Sequence, residues 1–278
     1  MKKLVLLIAV TIVVSCEKDS AHYEIADIIS TKNQQESLFF INDQNDFDYA
    51  GSMHNNFLHY YITNTTRLGD FDEILIMFDR FMLENYEIND FSAHMSFYPY
   101  DDIDTLGFTF HQDFSNMIAQ TVHNNIIDSL TAYYFTQIYH NTWNIECAPC
   151  NPLDVFQEMI DDILILENEI INTNDSSLSV NSKRILLTCS SILRHSIGFW
   201  FVEFYDSQSP WNTPDKLSAY GNYQLPNYAP WYISDYMGGM VGLPNALQWW
   251  AYSGGNPWFF VGAFAGYAAT ASIIASLA

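Results

Sequence analysis

Basic side chains are the scarcest resource in this chain: 10 Lys and Arg stand against 32 Asp and Glu, a formal charge of -22. No Lys/Arg cluster exists to override that charge, so the surface repels phosphate backbones and nucleic acid is excluded as a partner. Cysteine is also sparse, with 4 in the chain. The motifs that usually announce catalysis are missing. There is no Gly-x-Ser-x-Gly, no phosphate loop, no dinucleotide fingerprint and no His-Glu-x-x-His. Fewer than three credible strands are present, which leaves an all-α chain as the expectation. What the chain has in quantity is apolar and aromatic material, with 20 Phe, 18 Tyr and 7 Trp. That is ample for a core and excludes wholesale disorder.

The first residues carry the clearest signal. Met1-Lys2-Lys3 gives a positive start, and Leu4 to Val14 is apolar apart from Thr11. Small and aliphatic residues, Val13-Val14-Ser15, then precede Cys16. This is the layout of a secretion signal, and the run of about eleven apolar residues falls short of the roughly 20 that a spanning helix needs. A cleavable signal without lipid would usually place a smaller residue where Val13 stands. The Val-Val-Ser-Cys ending resembles the lipobox of bacterial lipoproteins, which implies removal of residues 1–15 and acylation of Cys16. Glu17-Lys18-Asp19-Ser20 resembles the acidic export signal of Bacteroidota surface lipoproteins. The resemblance implies an outer-membrane lipoprotein displayed at the cell surface, with the membrane as partner through its lipid.

Residues 16–44 read as a polar tether, in which Leu38 to Ile41 is the one apolar stretch and a candidate for docking on the domain. Residues 45–205 read as a helical domain. In it Tyr49, Met53, Phe57 and Tyr60 share one face, and Ile74, Leu75, Phe78, Phe81 and Met82 recur behind a cap at Asp70. Phe108 to Phe110 is a candidate short strand. From Ser115 to Asn141 the helical period returns, through Met117, Ile118, Val122, Ile126, Ile127, Leu130, Tyr133 and Tyr134. Leu153 to Ile171 is amphipathic, with Glu158, Asp161, Asp162, Glu167 and Glu169 on its polar face. Ser179 or Asn181 opens a further helix toward Trp200. Residues 206–230, rich in Ser, Pro, Asn and Tyr, read as a linker or ordered loop.

Asn45, Asp48, Gly51, His54 and Asn55 spell Asn-x-x-Asp-x-x-Gly-x-x-His-Asn. This segment resembles one in uncharacterised Bacteroidota lipoproteins and exported proteins. The same proteins share a later helix similar to Arg184-Ile185-Leu186-Leu187 with Ser191-Ile192-Leu193-Arg194-His195-Ser196 and Phe199-Trp200, and an Asp followed by a glycine-rich apolar tail, here Asp235 to Ala278. The resemblance implies architecture and no mechanism, and this tail departs from it in its load of Trp and Phe.

That tail, residues 231–278, reads as a helical hairpin. Ser253-Gly254-Gly255-Asn256 marks its turn, and Pro257 suits the first turn of the second helix. Gly238 with Gly242, and Gly262 with Gly266, form small-residue stripes that let helices approach closely. Pro257 to Ala278 would extend about 33 Å as a helix, enough to cross a bilayer core. A helix apolar all round is either a membrane span or a core element. Both readings stay open: a hairpin covered by the upstream helices, or a membrane-active hairpin with Trp249, Trp250 and Trp258 at the interface.

Candidate chemistry is thin. Cys147-Ala148-Pro149-Cys150 has redox-motif spacing, but no βαβ pattern surrounds it; a local disulfide or two free thiols is the expectation, and Cys189 reads as a buried small hydrophobe. His54 and His59 diverge on a helix and cannot share a metal. His54 is a weak candidate for a catalytic base oriented by Asp48, set against a hydrogen-bonded structural histidine. His195 with Arg194 reads as positive charge near a helix C-terminus. Asp102, Asp104, Gly107 and Asp113 echo a calcium loop, yet Leu106 stands where a ligand belongs. The expectation is therefore a protein without cofactor or metal, noncatalytic, with an interaction or structural role at the envelope and a protein partner of unknown identity. Hydrolase chemistry at His54 and membrane activity of the hairpin are the alternatives.

Overall fold

The computed structural model describes residues 41–65, 71–88, 110–143, 152–205, 209–211, 229–253 and 256–275. The described residues form eight helices: α1 (Tyr49–Asn64), α2 (Phe71–Tyr86), α3 (Phe110–His123), α4 (Ser129–Trp143), α5 (Pro152–Asn172), α6 (Val180–Tyr205), α7 (Ala229–Tyr252) and α8 (Pro257–Ala275). Among the described residues there is no strand, and the chain is all-α, packed around its apolar C-terminal hairpin. The candidate strand at Phe108–Phe110 does not survive at its one described residue: Phe110 opens α3.

Helix boundaries follow local chemistry. Ser179 holds the start of α6, its Oγ accepting the Ser182 N–H at 3.0 Å, as a cap should. Pro152 and Pro257 open α5 and α8, where a missing N–H costs nothing. The helical period from Ser115 to Asn141 is divided between α3 and α4, because turn chemistry wins over apolar spacing between them. Asn125 takes a left-handed backbone (φ 55), and the Asp128 Oδ1 accepts the Thr131 N–H at 2.7 Å to start α4.

The apolar stripe of α2 (Ile74, Leu75, Phe78, Phe81, Met82) is buried as its spacing demands. On α5 the stripe is buried too, but the expected polar face is wrong at one position: Glu167 is 0% exposed. α6 is also buried along most of its length. Val180–Glu203 is long and apolar enough to cross a membrane, yet 94% of its apolar window is covered by the other helices. Around it, α1, α5 and α7 pack directly, while α8 packs on α7, α1 and α2. Tyr236 on α7 donates to the Phe135 carbonyl of α4 at 3.0 Å.

The closest pairing is α7 with α8. A Cβ at Gly238 would lie 2.4 Å from the Ala271 Cβ and 2.7 Å from the Tyr267 carbonyl oxygen. At Gly242 it would meet the Tyr267 ring at 2.2 Å, and at Gly239 the Phe264 ring at 2.1 Å. Gly266 serves a different partner from the one its spacing suggests, since it faces Phe78 of α2 at 2.8 Å. Gly262 is buried on α8. Phe260, Val261 and Phe264 are all fully buried, so the hairpin spends its apolar surface on the bundle.

Candidate functional site

The polar residues of the chain's most distinctive segments meet on one side of α6. The assembly begins with a strap ahead of α1. Asn42 and Asn45 fold it by accepting backbone N–H groups on their own side chains, from Gln44 at 3.1 Å and Phe47 at 2.9 Å. Their amide nitrogens are thereby left facing the bundle. Asn42 Nδ2 donates to Glu167 Oε2 at 2.6 Å, and Asn45 Nδ2 donates to the Leu187 carbonyl at 3.0 Å.

Asp48 follows at the cap position of α1, but its carboxylate caps nothing. It accepts from Arg194 Nη2 and lies 3.3 Å from His195 Nε2. Arg194 is 0% exposed and also donates to Glu167 from Nε at 3.3 Å and from Nη2 at 3.1 Å. One guanidinium thus bonds two carboxylates, one at the cap of α1 and one on α5, and pairing of this kind is how a buried charge is normally tolerated. Its Nη1 finds no partner among the described residues. Ser191 stitches the same contact, accepting the Gly51 N–H at 3.2 Å and donating to the Asp48 carbonyl at 2.9 Å. Gly51 is required at this crossing, because a Cβ there would sit 2.3 Å from the His195 ring.

One turn further along, Asn55 Nδ2 donates to the His195 carbonyl at 3.0 Å, so its oxygen faces His54 Nδ1 at 2.9 Å. The other ring nitrogen of His54 lies 3.1 Å from Asp235 Oδ1, off the line of a good hydrogen bond. Asp235 Oδ2 accepts from Ser196 Oγ and, at 2.9 Å, from Trp200 Nε1. Both nitrogens of His54 therefore face acceptors, which suits the imidazolium. Burial works to lower the His54 pKa, but the Asp235 charge and the Asp235 and Asn55 contacts outweigh it and hold the ring above its ordinary value. Burial also pushes the Asp48 carboxyl up, and His195 with Arg194 overcomes this to hold it below its usual value. For His195, burial prevails over the Asp48 contact and, with the Arg194 charge beside it, lowers the pKa.

Several expectations are corrected by this geometry. The carboxylate beside His54 is Asp235, and Asp48 belongs to Arg194 and His195. Arg194 and His195 are not a charge at a helix end: they sit in the middle of α6 and are buried. His59 is exposed and its ring packs edge-on against Phe199 at 4.9 Å. Cys189 is a buried free thiol whose pKa burial raises well above normal. Cys16, Cys147 and Cys150 lie outside the described residues, as do Asp102, Asp104 and Gly107 of the calcium-like loop and the side chain of Asp113. Among the described residues no cluster of His, Cys, Asp or Glu could hold a metal ion.

Chemically, this arrangement can hold helices and trap charge, and its innermost groups are closed to a solute. His54, Asp235, Arg194 and Ser196 are each 0% exposed, and Ser196 donates to the carboxylate where a nucleophile would need to donate to the base. A cleft of about 330 Å³ lies elsewhere, lined by Asn125, Asp128, Ser182, Leu247 and Trp250 among others, and no network residue borders it. Sequence reasoning missed Glu167 and the pairing roles of Arg194 and Asp235. The available signal was a charged pair inside a long apolar helix, which must find partners. No family model, curated protein or solved structure matches this chain.

Proposed function

We propose that this chain is a lipid-anchored cell-envelope protein, acylated at Cys16, whose helical bundle has a noncatalytic interaction or structural role. The observation that carries the second half is burial: the side chains best able to do acid–base chemistry are committed to contacts between α1, α5, α6 and α7. The hydrolase alternative needs His54 to reach a solute, and its complete burial argues against it. The anchor rests on the signal-like residues 1–16. Intact-mass analysis of the product from its host tests it, with an acylated N-terminus at Cys16 as the expected result and loss of acylation in Cys16→Ala. A native product beginning at Met1, or one that stays in the aqueous phase on detergent partitioning, overturns it. Burial of Phe260, Val261 and Phe264 supports a core role for the hairpin over a membrane-active one. Dye-loaded liposomes should stay sealed in the presence of the mature protein, and leakage would restore the membrane-active alternative.

A further inference from the structure

Six element ends meet at one end of the bundle. Arg184, in the second turn of α6, lies over the rings of Phe47, ahead of α1, and Trp250, near the end of α7, at 5.6 and 4.6 Å. Trp258, in the first turn of α8, packs on Tyr49 at the start of α1 and Tyr86 at the end of α2, with ring centroids 4.6 and 5.5 Å apart. Asp128, just before α4, accepts from Ser182 near the start of α6. Asn42 and Asn45 fasten the strap ahead of α1 to α5 and α6.

The exposed large apolar side chains gather at this same end. Leu83, Tyr133, Val180 and Trp258 all lie within about a turn of the element ends just named, with exposures from 38% to 59%. Ile76 and Ile165 stand alone on the flanks, in the middle of α2 and α5. A rim of Tyr and Trp rings with aliphatic side chains between them suits a surface that is apolar on one side and wet on the other. The charges around it are mostly acidic. Asp43, Asp46, Glu84 and Glu87 are exposed there, and of the two nearby cations Lys183 is paired with Asp175 at 2.7 Å.

We infer that this aromatic end is the face on which the bundle rests against a lipid bilayer of zwitterionic headgroups. The inference rests on acylation of Cys16, which ties the chain to a membrane ahead of Ile41. The residues between allow a reach of at most about 90 Å, so the anchor alone leaves orientation free. The apolar rim selects one orientation, and a weak contact suffices because the tether holds its concentration high. The acidic side chains exclude anionic headgroups as the preferred surface.

The test uses the full mature, acylated protein in phosphatidylcholine vesicles carrying brominated acyl chains. Tryptophan quenching is compared between wild type and Trp258→Phe, with far-UV circular dichroism to confirm that the variant is folded. The expected result is lipid-dependent quenching that Trp258→Phe largely abolishes, that Val180→Asp weakens, and that Ile165→Asn on the flank leaves unchanged. Equal quenching of wild type and Trp258→Phe overturns the inference, and stronger quenching by anionic vesicles overturns the choice of headgroup. Concentration-dependent shielding of Trp258 from iodide without lipid would instead assign the face to a second copy of the chain. Should the native product carry no acyl group, the anchor reading fails by itself. The surface is then tested on the same chain held to the vesicles by an N-terminal histidine tag.

Discussion

The contact of α6 with α1 and α5 and the crossing of α7 with α8 are held by opposite means. Toward α1 and α5, α6 presents Ser191, Arg194 and His195, and the contact is a web of hydrogen bonds and ion pairs in which Arg194 and Glu167 are fully buried and Asp48 is partly exposed. The hairpin beyond it, α7 with α8, presents glycine to aromatic ring and alanine to backbone, with no ion pair at that crossing among the described residues. The polar side specifies partners, since each group accepts only a matching one, and it contributes little net stability because desolvation offsets the attraction. The apolar side contributes stability through burial and tolerates only shapes that fit.

The largest expected effect breaks the polar side at its hub. Arg194→Met leaves the Asp48 and Glu167 carboxylates buried without a counter-charge, and urea denaturation should show a loss of about 3–5 kcal/mol. Combining it with Asp48→Asn and Glu167→Gln should recover much of that loss; if the triple variant is as unstable as the single, the charges are not what Arg194 serves. Phe264→Ala tests the apolar side on a comparable scale, at about 3–5 kcal/mol. No compensating polar substitution should rescue it.

Smaller changes sharpen the contrast. Gly238→Ala drives a Cβ against Ala271 and the Tyr267 backbone, an overpacking cost of about 1–3 kcal/mol, partly offset by up to about 1 kcal/mol of better helix propensity. A net gain in melting temperature would show that α7 and α8 can part without penalty. Ser196→Ala removes a donor from the buried Asp235 and should cost about 1–3 kcal/mol.

The smallest effects, of order 1 kcal/mol, separate the two buried histidines by pH. His54 has a raised pKa, so its contribution is complete below the ordinary value near 6.5 and is lost as pH climbs through the raised one. His195 has a lowered pKa, so its contribution is present above about 6.5 and fades as pH falls below it. Stability should thus decline on both flanks of neutrality. His54→Gln should flatten the alkaline flank, and His195→Gln the acid one; denaturation midpoints across pH read both, and a single shared flank would contradict the assignment.

Much of this architecture is legible in the residues, and the reason is periodicity. Ile74, Phe78, Phe81 and Met82 bury one face because they recur with the helical repeat, and Ser179 starts α6 because its hydroxyl caps that helix. The hairpin is legible because uncharged residues continue from Tyr236 to the end of the chain. The network is not, because its pairs have no local signature: Asp48 meets Arg194 across 146 positions. Glu167 sits between acidic neighbours that do face water, so the pattern assigns it to solvent. Only folding brings a compensating Arg to it. The distinctive Asn45, Asp48, Gly51, His54 and Asn55 thus turn out to be joinery, with Gly51 placed for the ring of His195, 144 positions further along the chain.

The pairing of α1 with α6 also dictates an order of events as the chain emerges from its amino end. The strap and first helix appear early, but their matching groups arrive well over a hundred residues later, after the ends of α1 to α5 have already been made. Until α6 and then Asp235 follow, the leading segment is a bare polar hook with no eye, exposed to holding factors and proteases. Assembly rates should therefore depend on how long that interval lasts, and slow loop closure over such a distance is the step to look for in refolding kinetics.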